Sequence, residues 1–184
     1  MLTIFDLDQT LVERYTTKPL PGVAAVLAEL VAKGTRLMIA TNQAGPAWRM
    51  LTGRERFPTP EQICERFTAV VQALPSLRAA TWLVAVYDAR VNLAPDQFEA
   101  LADSFNRSNT PLDLRAAADP MWRKPQPGML WAACRLQGVS TAEACFIGDM
   151  DSDAQAAQLA GMTFYSANSY FCTQDTPGTT EIGT

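Results

Sequence analysis

The 184 residues contain no histidine at all. That absence removes histidine triads, histidine general bases and histidine-ligated zinc or iron centres in one step. The cysteines, Cys64, Cys134, Cys145 and Cys172, form no CxC or CxxC pair, and three sit in apolar stretches. They read as reduced, mostly structural thiols, because isolated cysteine behaves as a small buried hydrophobe. No apolar run approaches the roughly 18 residues of a membrane span, and the chain opens directly into a strand without a basic-then-apolar leader. The expectation is a cytoplasmic protein with no membrane partner; nothing in the sequence specifies an oligomeric state. Basic charge is also short, with 15 Lys and Arg against 19 Asp and Glu, a net charge of −4 and a pI near 4.8. A general nucleic-acid binder usually shows the opposite balance.

What is present is an alternation of strand and helix patterns, apolar residues making up 48% of the chain. Leu2 to Leu7 reads as a buried strand. Val23, Val26, Leu27, Leu30 and Val31 recur at helical spacing, bounded by Pro21-Gly22 and Gly34. A second strand is expected over 35–41 and a Gly/Arg/Pro-rich loop over 44–58. Thr59, Pro60 and Gln62 have the form of an N-cap, a first-turn proline and a capping-box partner for a helix to about Leu74. A third strand is predicted over 81–87, a helix from Pro95 to about Phe105 and irregular chain over 106–122. A helix near Pro127 follows, then a capping box at Ser140 and Glu143, a strand over 144–148, a helix over 152–160 and a short strand over 162–166. The polar residues from Thr173 read as a mobile tail, leaving one domain over 1–172. Strands separated by helices imply an α/β, Rossmann-like parallel sheet with helices on both faces. Ligands of such sheets bind beyond the carboxyl ends of the strands.

Polar residues collect at those strand ends. In DLDQT (6–10), Asp6 and Asp8 are two apart on a strand and point to one face, where a divalent cation would relieve their repulsion. DLDQT could equally form an ordinary turn or cap. TNQAG (41–45) offers the Thr41 hydroxyl and the Asn42 amide to an anion, or simply a turn with an N-cap. Arg123-Lys124-Pro125, ahead of Pro127-Gly128, holds a cation on rigid chain before a helix start, or is a solvated loop. GDMDSD (148–153) puts Asp149 after a strand and Asp153 in the first turn of a helix, hard oxygen donors suited to Mg²⁺. Asp151 or Ser152 can instead serve as a helix cap there, and Asp151 has the weakest claim among the acids.

In this order the four elements resemble the haloacid dehalogenase (HAD) superfamily: DxDxT after the first strand, Ser or Thr after the second, a Lys, then GDxxxD. The match runs from residue 6 to 153. TNQxG and RKPxPGM are similar to the branch holding histidinol-phosphate, heptose-bisphosphate and polynucleotide 3′-phosphatases. The resemblance implies a Mg²⁺-dependent phosphatase with Asp6 as nucleophile, forming an aspartyl-phosphate, and Asp8 as general acid and base. Thr41 and Lys124 would hold phosphoryl oxygens. Asp6, the Asp8 main-chain carbonyl and Asp149 would bind Mg²⁺, and Asp153 would support it or contact Lys124. Asn42 and Arg123 would touch the substrate beyond its reactive phosphate.

The departures set further expectations. Gln9 stands where glycine is common in the superfamily, so the local loop is expected to differ. The zinc loop of the sugar-phosphate and histidinol-phosphate members is missing, since Cys64 is the sole cysteine between Asn42 and Lys124. Eleven or so residues between Thr10 and Pro21 leave no room for a cap domain, so the site should be open, with specificity from 44–58 and 106–122. The favoured substrate is a small phosphorylated metabolite. The alternative is a nucleic-acid end read by Trp48, Arg49, Arg54 and Arg56. A phospho-accepting receiver domain would not need the second acid at Asp8, and a non-catalytic binding module would not need all four motifs.

Overall fold

The computed structural model describes residues 1–172; the expected tail at 173–184 lies outside the described residues. Six parallel strands form a single sheet: β1 (Leu2–Phe5), β2 (Arg36–Asn42), β3 (Thr81–Ala85), β4 (Asp113–Ala117), β5 (Ala144–Gly148) and β6 (Thr163–Ser166), in the spatial order β4-β3-β2-β1-β5-β6. The chain winds outward from β1 to β4, then returns to the other side of β1 as β5. That reversal opens a crevice at the carboxyl ends of β1 and β5, where open α/β sheets bind ligands. Phe5 is paired with Ile39 on one side and Ile147 on the other, and the Asp6 N–H donates to the Ile147 carbonyl at 2.9 Å.

Alternating strand residues supply two cores. Phe5, Ile39, Trp82, Val84 and Ile147 face helices α1 (Val23–Ala32), α3 (Pro60–Ala73), α4 (Pro95–Asn106) and the short α7 (Ala167–Cys172). There Phe67 stacks on Trp82 at 4.7 Å between ring centroids. Leu2, Ile4, Met38, Leu83 and Phe146 face α5 (Gly128–Gln137) and α6 (Asp151–Ala160), whose Ala132, Ala133, Ala156 and Ala157 let the helices lie close to the sheet. Burial on both faces explains why the central strands are continuous apolar runs. The capping box of α3 forms as the sequence requires: Thr59 Oγ1 accepts from the Gln62 N–H and Gln62 Oε1 from the Thr59 N–H.

Three segments differ from expectation. Within 44–58, residues Gly45–Thr52 form helix α2, with Pro46 in its first turn and Gly53 ending it at φ 64°. Those residues punctuate the helix at its ends, where proline and glycine belong. Within 106–122, β4 adds an edge strand, half-exposed and with the weakly apolar sequence DLRAA, so it carries little periodic signal. The helix α7 follows β6 directly, without a separating turn signal. Ser140 and Glu143 do form their capping box, on a single 3-10 turn leading into β5.

Between β1 and α1 the chain makes a short loop, in which Val12 bridges to Asp8 and to Pro19. Gln9 takes φ 61° there, the left-handed conformation that favours glycine. The Gln9 side chain accepts the Arg14 N–H at 2.6 Å, a contact glycine could not make.

Gly128, at the start of α5, lies under the turn that carries Arg123 and Lys124. A Cβ there would sit 2.4 Å from the Met121 carbonyl oxygen and 2.7 Å from its carbon. Because the obstacle is backbone, Gly128→Ala should cost about 1–3 kcal/mol, as overpacking usually does. The denaturant midpoint reads this directly; an unchanged midpoint would mean that helix and turn do not pack this closely in solution.

Candidate active site

Four separate segments converge at the crevice. Asp6 follows β1, Asp149 follows β5, Asp153 lies in the first turn of α6, and Lys124 comes from the turn before α5. The Lys124 Nζ lies 2.7 Å from Asp6 Oδ1 and 2.7 Å from Asp153 Oδ1, with both lysine and Asp153 fully buried. Carboxylate oxygens of Asp6, Asp149 and Asp153 lie within 4.8 Å of one another. Asp153 is fixed by its Oδ2, which accepts the Met150 N–H at 3.1 Å. It packs over Gly148, where a Cβ would come within 2.5 Å of it. Thr10 donates to Asp149 Oδ1 at 3.4 Å. Asp151 is exposed and stands outside this cluster.

One ammonium faces three carboxylates, so the local charge is unbalanced. Burial pushes the Asp6 carboxyl up to about 7, Lys124 pulling against it and Asp153 adding to it. Asp149 is raised by burial and then by the Asp153 charge. Burial pulls Lys124 down, but Asp6 and Asp153 outweigh it and raise it overall. Asp153 Oδ1 is buried beside the lysine without a well-directed hydrogen bond. A hard divalent cation among these oxygens would cancel the excess negative charge, and the all-oxygen donor set fits Mg²⁺ rather than zinc or copper.

Thr41 and Asn42 end β2. Asn42 grips the main chain of Lys124 from both sides, its Nδ2 donating to the carbonyl and its Oδ1 accepting the N–H, each at 3.1 Å. Both polar atoms of the amide therefore position the lysine. Thr41 is buried and accepts from Gln43 Nε2 at 3.0 Å; the same amide reaches Asp8 Oδ2 at 3.3 Å. The Asp8 carboxylate stands apart from the three converging acids. It accepts the Tyr15 N–H at 2.8 Å and pairs with Arg66 of α3, whose Nε is anchored on the Thr16 carbonyl. Gln43 was within reach of sequence reading as part of TNQAG. Arg66 was not, being one arginine on an amphipathic helix with nothing to mark it.

Beside this cluster lies a cleft of about 760 Å³, reached by Asn42, Gln43, Trp48, Arg66, Asp88 and Arg123 among others. Asp88, buried beyond the end of β3, is its hub. Arg90 grips it with three hydrogen bonds, from its N–H and Nε at 3.0 Å and from Nη2 at 2.7 Å, Arg123 approaches to 3.2 Å, and the Trp48 indole donates at 3.4 Å. Burial would raise Asp88, but the Arg90 hydrogen bonds and the Arg123 charge hold it down at about 2. Arg123 and Trp48 were candidates from the sequence; their convergence on Asp88 was not legible there. Residues 44–58 line the cleft as expected, whereas 106–122 do not: that segment goes into β4 and its flanks. Arg49 is engaged by the Glu55 and Phe57 carbonyls, closing the loop after α2, and Arg54 and Arg56 remain exposed.

Residues 121–168, which include Lys124, Asp149 and Asp153, match the HAD-hydrolase-like family model. No curated protein sequence matches the chain. Among solved structures, D,D-heptose 1,7-bisphosphate phosphatase from B. bronchiseptica, complexed with magnesium and phosphate, is similar at 21% identity and a TM-score of 0.54, over 97% of this chain and 88% of that one. A putative HAD-like phosphatase from Mesorhizobium loti is similar at 20% identity and a TM-score of 0.50, over 87% of this chain and 68% of that one. At such identities the likeness is one of fold alone. Among the described residues no helix is long and apolar enough to cross a membrane.

Replacing Asp88 tests the hub. Asp88→Asn should lower stability near neutral pH by about 1–3 kcal/mol, the usual range for hydrogen bonds to a buried charge. Since the folded-state pKa is depressed, the contribution is fully present above 3.8 and fades as pH falls towards 2. The gap in melting temperature between the two proteins should therefore close over that window. A gap independent of pH would show that Asp88 acts through packing instead.

Proposed function

We propose that this chain is a Mg²⁺-dependent phosphomonoesterase that forms an aspartyl-phosphate on Asp6 and acts on a small phosphorylated molecule. The observation that carries the reading is the buried Lys124 ammonium held 2.7 Å from both Asp6 and Asp153 at the switch point of the sheet. An anion-binding lysine locked against a carboxylate suits phosphoryl transfer through an aspartyl-phosphate, since that chemistry depends chiefly on positioning and charge.

In this reading an Asp6 oxygen attacks phosphorus as the bond to the leaving oxygen breaks. Asp8 gives that oxygen its proton. It then takes a proton from water as the water attacks the acyl-phosphate and restores Asp6. Thr41 and Lys124 hold phosphoryl oxygens, Lys124 being aimed by Asn42. Asp8 works from the mouth of the site, where Gln43 joins it to Thr41. Asp6, Asp149 and the Asp8 carbonyl would hold Mg²⁺ with Asp153 in support, and the cation would supply positive charge to the phosphoryl oxygens. The single domain is taken to span 1–172.

Turnover of a phosphomonoester panel with Mg²⁺ and with EDTA tests the activity. Asp6→Asn should abolish turnover and leave no trapped intermediate. Asp8→Asn should slow alkyl phosphates by about 10²–10⁴-fold, the usual worth of a general acid. Aryl phosphates, whose leaving groups need little protonation, should still phosphorylate Asp6 in rapid-quench experiments. Label found on Asp8 would reverse the two roles.

Magnesium should also stabilise the fold. At about 100 times the dissociation constant, linkage contributes about 2.7 kcal/mol, which for this chain length raises the melting temperature by roughly 5–10 °C. Identical melts in millimolar Mg²⁺ and EDTA would count against the metal site.

A further inference from the structure

The cleft beside the phosphoryl site does not end at Asp88. A second cavity of about 280 Å³ continues it, sharing Trp48, Arg56, Phe57 and Arg90 and adding Thr52 and Arg54. The main cleft is lined by four arginines and two acids, and the smaller cavity by three arginines and no acid. In a chain of net charge −4 this is a local reversal of sign, and a cleft lined by one sign of charge concentrates ions of the other.

The arginines other than Arg54 are also held in place. Arg90 is fixed by its fork on Asp88, which engages Nε and Nη2, while 72% of its side chain stays open to solvent. One buried carboxylate is shared between Arg90 and Arg123, so the group keeps a net positive charge. Trp48 and Phe57 stack at 6.1 Å, with the Arg90 guanidinium over Trp48 and that of Arg56 over Phe57. Among the described residues, Arg54 and Arg56 form no salt bridge. A solvated arginine face would not need such fixing; a site for a phosphate-like anion does, because guanidinium recognition depends on a preset fork.

We propose that this trough is a second anion subsite, in which a phosphate group on the leaving part of the substrate docks on Arg90 and Arg56 beside the Trp48–Phe57 pair. The favoured substrates are then phosphomonoesters with a second phosphate some distance from the one cleaved, and Asp88 is the positioning residue of the subsite. The inference rests on the phosphatase reading for the meaning of its substrate, but its binding chemistry stands separately.

The test compares hexyl phosphate with hexane-1,6-diol bisphosphate, and shorter and longer homologues, on the full chain with Mg²⁺. Counted per phosphomonoester group, of which the bisphosphate has two, the bisphosphate should be favoured in kcat/KM by about tenfold or more at the best length, the scale of one charge-assisted hydrogen-bond pair. In Arg56→Ala/Arg90→Ala that ratio should fall to about one; both side chains are exposed, and the ratio does not depend on how much protein is folded. A ratio near one in the unaltered protein at every length, or one retained in the variant, overturns the proposal. Calorimetry with hexane-1,6-diyl bisphosphonate, which cannot be hydrolysed, separates the two readings. Binding that is lost in the double variant, in a protein that turns over no phosphoester, would uphold the subsite and sink the phosphatase. A 3′-phosphorylated trinucleotide identifies the source of the second anion: preference for it over every diol bisphosphate assigns the subsite to the adjacent phosphodiester of a strand, and the reverse to a small bisphosphate.

Discussion

The buried Lys124 ammonium, pinned between Asp6 and Asp153, is the contact on which the rest of the site depends. An ammonium taken wholly out of water loses several kcal/mol of hydration, so it persists there only with close carboxylates around it. Those carboxylates come from distant parts of the chain, and β1 and β5 must pair to bring them together. Asn42 fixes the lysine backbone from β2, and Gly128 lets α5 approach the turn that carries it. Helix, strand and turn are therefore placed by one buried charge as much as by the apolar cores.

The cores and the site were unequally legible in the sequence. Strands buried on both faces, such as Leu2–Phe5 and Ala144–Gly148, announce themselves as apolar runs, and α3 carries its start signal in Thr59, Pro60 and Gln62. The edge strand Asp113–Ala117 has only one well-packed neighbour and correspondingly little apolar pattern, so nothing local marks it. Helix α2 was hidden because Gly45, Pro46 and Gly53 punctuate its ends and resemble loop composition.

Among the site residues, Asp6, Lys124, Asp149 and Asp153 could be named from motif spacing because each follows an identifiable element boundary. The partners that tune the surroundings could not. Arg66 reaches Asp8 across 58 positions and Arg123 reaches Asp88 across 35, and such pairings depend on the tertiary path of the chain. Gln9 is instructive in a different way. It holds a left-handed backbone that its residue type does not announce, so the turn could not be read from the sequence.

The central position of β1 has a consequence for how the molecule is made. β1 leaves the ribosome before the other five strands, yet one of its two flanking strands, β5, begins 142 positions after it. Until β5 is synthesised, one edge of a fully buried strand has no native neighbour, and such an edge is a template for wrong pairing. Docking of β5 closes that edge and in the same movement brings Asp149 and Asp153 to Asp6 and Lys124. The step that covers this edge of β1 is thus the step that assembles the acidic cluster, and an assembled cluster is evidence that β1 and β5 have paired.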